Sequence, residues 1–404
     1  MRRFQLSCLA MLFGMFAATA SSEQPMEIYI DADYVVSVAA AQAIELGVRT
    51  ALAEAGNRLA GEDVIVVPLD HRGNVKRSRL TMDRFVESKT ALAVVGGLHS
   101  PPYLSNRDFM NENGILTLLP WSAAGPITRA EPGQTNWIFR LSVDDYQSGP
   151  YLVGHAEEHD DCHRTGLILL DSGWGRANLP TLTEAFQRLG HEPAAVHFFP
   201  TSLGEASARA FAADVERSAM DCAILLANWD NGAVVVNALY ERGLDMRILS
   251  HWGILGGAFA DAVPFEVRES LGLEVLQTCT LRREREGNAV LRRALEHARP
   301  DLRSIAELPA STGFVHGYDL TRLLIAAVDQ AAATPAWNEG IGARRDAVRI
   351  ALEELETPVA GILDTYERPF EPYRADRPYA HEALRLDHLC MARIRADGRL
   401  EDAN

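Results

Sequence analysis

The sequence lacks the compact signatures of catalysis: no GxSxG nucleophile elbow, HExxH zinc motif or GxxxxGK[ST] phosphate loop occurs in its 404 residues. Basic charge is short as well, with 39 Lys plus Arg against 55 Asp plus Glu and a formal net charge of -16. Neutralising phosphates needs clustered Lys and Arg, so this balance argues against nucleic acid or an anionic membrane as partner. Cysteine is scarce, five residues with no CxxC pair, which argues against a structural zinc site. Beyond the first twenty residues no apolar stretch reaches the roughly 18 to 20 residues that span a bilayer. Low-complexity tracts are also missing.

What is present begins with an export signal. Arg2 and Arg3 form a basic start, Leu9 to Ala18 is apolar and uncharged, and Ala18-Thr19-Ala20 offers the small residues a signal peptidase reads. Residues 1–20 are expected to be removed after Ala20, leaving a soluble periplasmic chain. Of the five cysteines, Cys162, Cys222, Cys279 and Cys390 then remain. An even count in an oxidising compartment reads as two disulfides, with three connectivities open. The rest is ordinary globular composition, 47% hydrophobic and 23% charged, and the length predicts two lobes of roughly 130 to 200 residues each.

Short apolar runs alternate with helix-length amphipathic ones. Met26–Asp31, Val64–Asp70, Ala91–Gly97 and Ile115–Trp121 read as strands, with helices such as Val38–Leu59 and Ser78–Ser88 between them. After a strand-like Trp137–Ser142 the pattern restarts, with strands at Gly166–Asp171, Ala194–Phe199, Cys222–Ala227 and Arg247–Trp252. Such alternation builds parallel sheets covered on both faces, and two tandem halves predict two similar lobes. Leu273–Leu281 reads as a further strand, 288–356 as three helices, Tyr366–Ala383 as a loop and Asp387–Ile394 as a closing strand.

Two candidate clusters carry little chemistry. Gly173-Trp174-Gly175 opens a helix after a strand, but Asn178 stands at the third glycine position of a dinucleotide fingerprint, so no cofactor is expected. His155, His159 and His163 are spaced four apart, which suits a shared metal on one helix face. Strand onset near Gly166 takes His163 off that face, and the segment reads as an acidic, exposed helix end, with no metal expected. The strand ends are more informative, because ligands of open parallel sheets bind beyond the carboxyl ends of the strands. Four of the six tryptophans fall there: Trp121, Trp174, Trp229 and Trp252. They predict an aromatic-walled cleft.

The colinear stretches Ala93-Val94-Val95-Gly96-Gly97-Leu98-His99-Ser100, Asn113-Gly114-Ile115-Leu116, Pro120-Trp121-Ser122-Ala123-Ala124-Gly125-Pro126, Asp171-Ser172-Gly173-Trp174-Gly175, Gly317-Tyr318-Asp319 and Ala396-Asp397-Gly398 carry a family likeness. Through them the chain resembles, over residues 26–400, the type 1 periplasmic binding proteins that serve branched-chain amino-acid and amide importers. The resemblance implies an α/β clamshell of two Rossmann-like lobes joined by three crossovers. It places residues 26–140 plus 282–358 in the N-terminal lobe and 144–278 plus 386–400 in the C-terminal lobe. The implied function is capture of a small molecule without catalysis, by a monomer that delivers it to an inner-membrane ABC permease. Alternatives are a periplasmic sensor subunit of the same fold that docks on a receptor, and a metal-dependent hydrolase centred on His155.

The resemblance also implies a site. Ser100 stands for the family serine that takes a ligand carboxylate, Ala123 replaces a threonine beside Ser122, and Trp174 replaces a tyrosine. Asn228 or Trp229 stands for a second-lobe aromatic, and Trp252 for the glutamate that pairs with an α-ammonium in leucine-binding members. Tyr34, at the end of the first strand, and Trp121 complete the expected ligand contacts. Because a buried ammonium without an anionic partner is strongly disfavoured, Trp252 points to an aromatic or hydrophobic carboxylate unless Asp230 replaces the glutamate. For the cysteines the family arrangement implies Cys162 with Cys222, at the start of neighbouring strands, and Cys279 with Cys390, on strands side by side near the hinge.

Overall fold

The apolar runs form two mainly parallel sheets of closely similar order. In the computed structural model, which describes residues 24–403, the first sheet contains β1 (Met26–Ala32), β2 (Arg58–Leu59), β3 (Glu62–Asp70), β4 (Ala91–Gly96), β5 (Thr117–Leu119) and β6 (Ile138–Arg140). Its order is β2-β3-β1-β4-β5-β6, parallel except for the β2–β3 hairpin. The second sheet contains β7 (Thr165–Asp171), β8 (Val196–Pro200), β9 (Cys222–Leu226), β10 (Arg247–Ser250) and β11 (Glu274–Thr278). A hairpin of β12 (Val359–Ala360) and β13 (Thr365–Tyr366) stands apart, and β14 (Leu389–Ile394) and β15 (Leu400–Asp402) close the second sheet antiparallel. Its order is β15-β14-β11-β10-β9-β7-β8. Helices α1 (Val38–Glu54), α2 (Val75–Glu87) and α3 (Ser100–Glu112) serve the first sheet; α4 (Asp145–Glu157), α5 (Gly173–Arg188), α6 (Glu205–Arg217) and α7 (Trp229–Glu241) serve the second. The export signal expected at residues 1–20 lies outside the described residues.

The continuous burial of β4 and β9 is what helices on both faces require. The chain passes between sheets three times: after β6, after β11, and again before β14. On the middle excursion the long helix Ser311–Ala332 lies against α1. Glycines set that approach: a Cβ on Gly47 would stand 2.2 Å from the Phe314 carbonyl oxygen, and one on Gly317 2.8 Å from that of Ile44. Two disulfides, Cys162–Cys222 and Cys279–Cys390, join Cα atoms 5.2 and 5.1 Å apart.

Several boundaries differ from the expected ones by a few residues, and some of the shifts have a visible cause. Helix α1 stops at Glu54 rather than at Leu59, because Gly56 and Asn57 turn with positive φ and Arg58–Leu59 pair with Glu62 and Asp63. The run Leu273–Leu281 is a strand only to Thr278; Thr280–Arg285 forms a helical turn. The expected loop 366–383 begins inside β13, and at its far end Glu382 bridges in parallel to Arg140 at the edge of β6.

Asp319 shows how the middle excursion is fastened. Fully buried, it accepts the N–H groups of Ile362 (2.6 Å) and Leu363 (3.0 Å) and the hydroxyl of Tyr366 (2.8 Å), pinning the β12–β13 hairpin. Burial nevertheless wins over these bonds and pushes its carboxyl up to about 6. Between the unfolded value and 6 the native state holds a proton that the unfolded chain has released, so this stability is present at low pH and lost as pH rises. At 1.36 kcal/mol per unit the loss is about 2 to 3 kcal/mol from pH 4 to 7. Urea titrations should therefore show the stability gap between wild type and Asp319→Asn shrinking by that amount over this range; a constant gap would mean that Asp319 ionises as in the unfolded chain.

Candidate functional site

The carboxyl ends of both sheets face each other across a cavity of about 210 Å³. From the first sheet, β4 delivers His99 and Ser100 at the start of α3, and β5 delivers Trp121 and Ala123. From the second, β7 leads to Trp174, β9 to Asn228 and β10 to His251 and Trp252. The turn that aims Trp174 needs its glycine, since a Cβ on Gly175 would lie 2.0 Å from the Leu170 carbonyl oxygen. Ser172 caps α5 by accepting the Gly175 N–H at 3.3 Å. Trp121, Trp174 and Trp252 are all buried and give the cavity its aromatic walls.

Polar groups behind the walls are largely paired. Asp145 accepts Trp174 Nε1–H (2.8 Å) and Asn178 Nδ2–H (2.6 Å), and its other oxygen meets His251 Nε2 at 3.0 Å. Burial pushes this carboxyl up, but the His251 and Asn178 contacts outweigh it and hold it below the usual range. Asp33 accepts the N–H groups of Val35 and Val36 and meets His99 Nε2 at 3.1 Å. Burial raises its carboxyl too, and the His99 bond with the two N–H bonds brings it well below the ordinary value. Neither carboxylate is left to receive an ammonium. Groups of the wall that keep bonding capacity include the Ser100 hydroxyl, which accepts the Ala124 N–H at 3.2 Å, the half-buried Asp230 carboxylate, and Trp121 Nε1 and His251 Nδ1, which have no protein partner among the described residues. With His251 Nε2–H given to Asp145, Nδ1 accepts in the neutral ring and donates in the imidazolium.

Six of the nine expected contact residues line the cavity: Ser100, Trp121, Ala123, Trp174, Asn228 and Trp252. Tyr34 does not, because its hydroxyl turns to Glu45 at 2.8 Å. Ser122 lies fully buried behind the wall, donating to the carbonyl oxygens of Gly97 (2.7 Å) and His99 (3.1 Å). Trp229 lines an adjacent groove, and its Nε1–H donates across the mouth to the Val36 carbonyl oxygen at 2.9 Å. Asp230, the alternative ammonium partner, is on the cavity lining. Several contributors were not expected, among them Gly73 and Thr201 on the lining. Arg72 follows the end of β3, where the strand-end rule applied to that strand would have found it; Asp145, behind the wall, opens a helix after a crossover and carries no local signal. Of the expected histidine row, His163 leaves the others, its N–H donating to Asp221 at 3.0 Å, because α4 ends at Glu157.

Comparison with known proteins agrees with this architecture. No curated protein matches the chain in sequence. A type 1 periplasmic binding protein from Bordetella pertussis Tohama I superposes with a TM-score of 0.76 at 15% identity, covering 94% of this chain and 100% of that one. The leucine binding protein LivK of Thermotoga maritima gives 0.70 at 15% identity, over 94% and 98%. A solute binding protein of an ABC transporter from Rhodopseudomonas palustris HaA2, solved with p-hydroxybenzoic acid, gives 0.72 at 15% identity, over 94% and 95%. With the periplasmic binding protein profile matching residues 35–372 and the two lobes arranged as in these type 1 structures, the chain belongs to the periplasmic binding proteins.

Proposed function

We propose that the protein is the extracytoplasmic solute-binding component of an ABC importer and captures an aromatic or hydrophobic carboxylate between its lobes. The observation that carries the ligand class is a wall of three tryptophans around a cavity whose buried acids, Asp33 and Asp145, are already committed to His99 and to His251 with Trp174. An α-ammonium placed there would have only the half-buried Asp230 left to pair with, whereas a planar ring stacks on indole and its carboxylate meets the Ser100 hydroxyl. Structural relatives solved with p-hydroxybenzoic acid and with benzoate lend support. Function is then capture rather than catalysis: ligand touches both walls only in the closed form, raises its population, and the closed form docks on a permease.

A thermal-shift and equilibrium-dialysis screen with benzoate, 4-hydroxybenzoate, leucine, amides and betaines tests the reading. Aromatic acids should stabilise the protein and quench tryptophan fluorescence. Binding of leucine in preference to every aromatic acid would overturn it and make Asp230 the ammonium partner. Ser100→Ala should weaken an aromatic carboxylate by about 1 to 3 kcal/mol, the worth of a charge-assisted hydrogen bond. Isothermal titration calorimetry reads this directly, and an unchanged affinity would place the carboxylate elsewhere in the cavity.

A further inference from the structure

At the far end of the second lobe, where its strands begin, three side chains converge. His155 closes the last turn of α4, His159 follows in the turn beyond it, and Glu274 opens β11. His155 Nε2 lies 2.8 Å from Glu274 Oε2 and 3.2 Å from His159 Nε2, and His159 Nε2 lies 3.6 Å from the same carboxylate oxygen. Glu274 is buried and the two imidazoles partly so. Among the described residues this is the group that gathers three metal-type donors within 4.8 Å of one another.

Hydrogen bonding alone serves this triangle poorly. His155 Nε2 faces both neighbours, and a neutral ring has at most one proton there, which can only be divided between them. Without that proton, a lone pair faces a carboxylate. A cation among the three atoms instead takes a lone pair from each. Donors at about 2.0 to 2.2 Å from a tetrahedral zinc lie a little over 3 Å apart, which is the size of this triangle.

We propose that His155, His159 and Glu274 bind a divalent transition-metal ion of the zinc type, with water in the fourth position. Two imidazoles and one carboxylate suit such a metal better than magnesium or calcium, which favour all-oxygen sites. The carboxylate is already oriented: Arg393 holds Oε1 at 2.8 Å, leaving Oε2 to the imidazoles. The surrounding charge does not repel a cation outright. Arg247 stands 3.8 Å from Glu274 Oε1 but is paired with Asp161 at 2.7 Å, and Glu158 lies 3.9 Å from His155 Nδ1. The bound ion would tie the end of α4 to β11, close to the Cys162–Cys222 disulfide at the start of β9, and lies outside the ligand cavity. It is a staple for the second lobe and takes no part in capture.

The test uses the untagged exported chain, stripped with a chelator and titrated with Zn²⁺ by calorimetry and with Co²⁺ by absorption. One equivalent of Zn²⁺ should bind tightly and raise the thermal midpoint. Co²⁺ should give the intense visible bands of a four-coordinate site. His159→Ala, at a partly exposed position, should lower Zn²⁺ affinity by more than about 100-fold, beyond the loss that outer partners alone cause. His163→Ala should leave it unchanged. Weak multi-site binding, affinity unaltered by His159→Ala, or affinity lost with His163→Ala would each overturn the assignment. Should His159→Ala fold poorly, His159→Gln gives the same reading.

Discussion

Replacing Arg140 by methionine is expected to cost about 3 to 5 kcal/mol of stability, the usual consequence of leaving buried charges without a partner. Arg140 is fully buried at the end of β6, where the chain leaves the first sheet. Its guanidinium meets Glu382 through Nε (2.7 Å) and Nη2 (2.7 Å) and donates to Asp144 at 2.9 Å and to the Ala124 carbonyl oxygen at 2.9 Å. Arg129 joins both acids from the other side, so two cations balance two anions in one dry cluster. Burial and the Glu382 charge push the Asp144 carboxyl up, while the arginines oppose that rise. The cluster ties the first crossover to the segment before β14, where Arg140 also exchanges backbone bonds with His381 and Ala383. Glu382→Met should be similarly costly alone, but the double variant should lose less than the sum, because Arg129 and Asp144 remain as a neutral pair. Urea denaturation of the four proteins closes this cycle, and strictly additive losses would show that the two side chains act separately.

How far the molecule can be read from its residues depends on the range of each signal. Strands such as Ala91–Gly96 and Cys222–Leu226 are legible because a strand covered on both faces must be continuously apolar. The end of α1 is less so: Leu59 falls seven residues after Leu52, on the helix period, and only the Gly56-Asn57 turn with positive φ and the hairpin partner beyond it mark the stop. The same holds at the site. Strand ends bring Trp121, Trp174 and Trp252 to one cavity, because all strands of a parallel sheet end on the same side. Tyr34 and Trp229 occupy equivalent ends yet turn away, toward Glu45 and the Val36 carbonyl, which are tertiary partners invisible in a local reading. Spacing exposed His155 and His159, but their third donor lies 119 positions from His155. Only the packing of α4 beside β11 brings it there.

Trp252→Ala should separate two roles of this indole, packing between the lobes and contact with ligand. Trp252 lines the cavity while being 1% exposed, and its ring meets His251 edge-on at 5.2 Å and His316 at 5.7 Å. His316 comes from the long helix beside α1 and bonds the Pro120 carbonyl at 2.8 Å and the Thr278 hydroxyl at 3.0 Å, so Trp252 packs where the two lobes meet. Burial holds His316 down at about 4, which keeps this contact uncharged at neutral pH. Truncating such a side chain should lower stability by about 3 to 5 kcal/mol. If the indole also carries ligand, affinity for an aromatic carboxylate should fall by a further 1 to 3 kcal/mol, about the cost of removing a buried aromatic anchor. Trp252→Phe distinguishes the two: it keeps a ring for stacking and most of the packing, so affinity should return toward wild type along with stability. Calorimetry with 4-hydroxybenzoate and urea denaturation of the same samples read both quantities. A stability loss with ligand affinity and preference unchanged in Trp252→Ala would make the indole a floor beneath the site, and the aromatic preference would then rest on Trp121 and Trp174 alone.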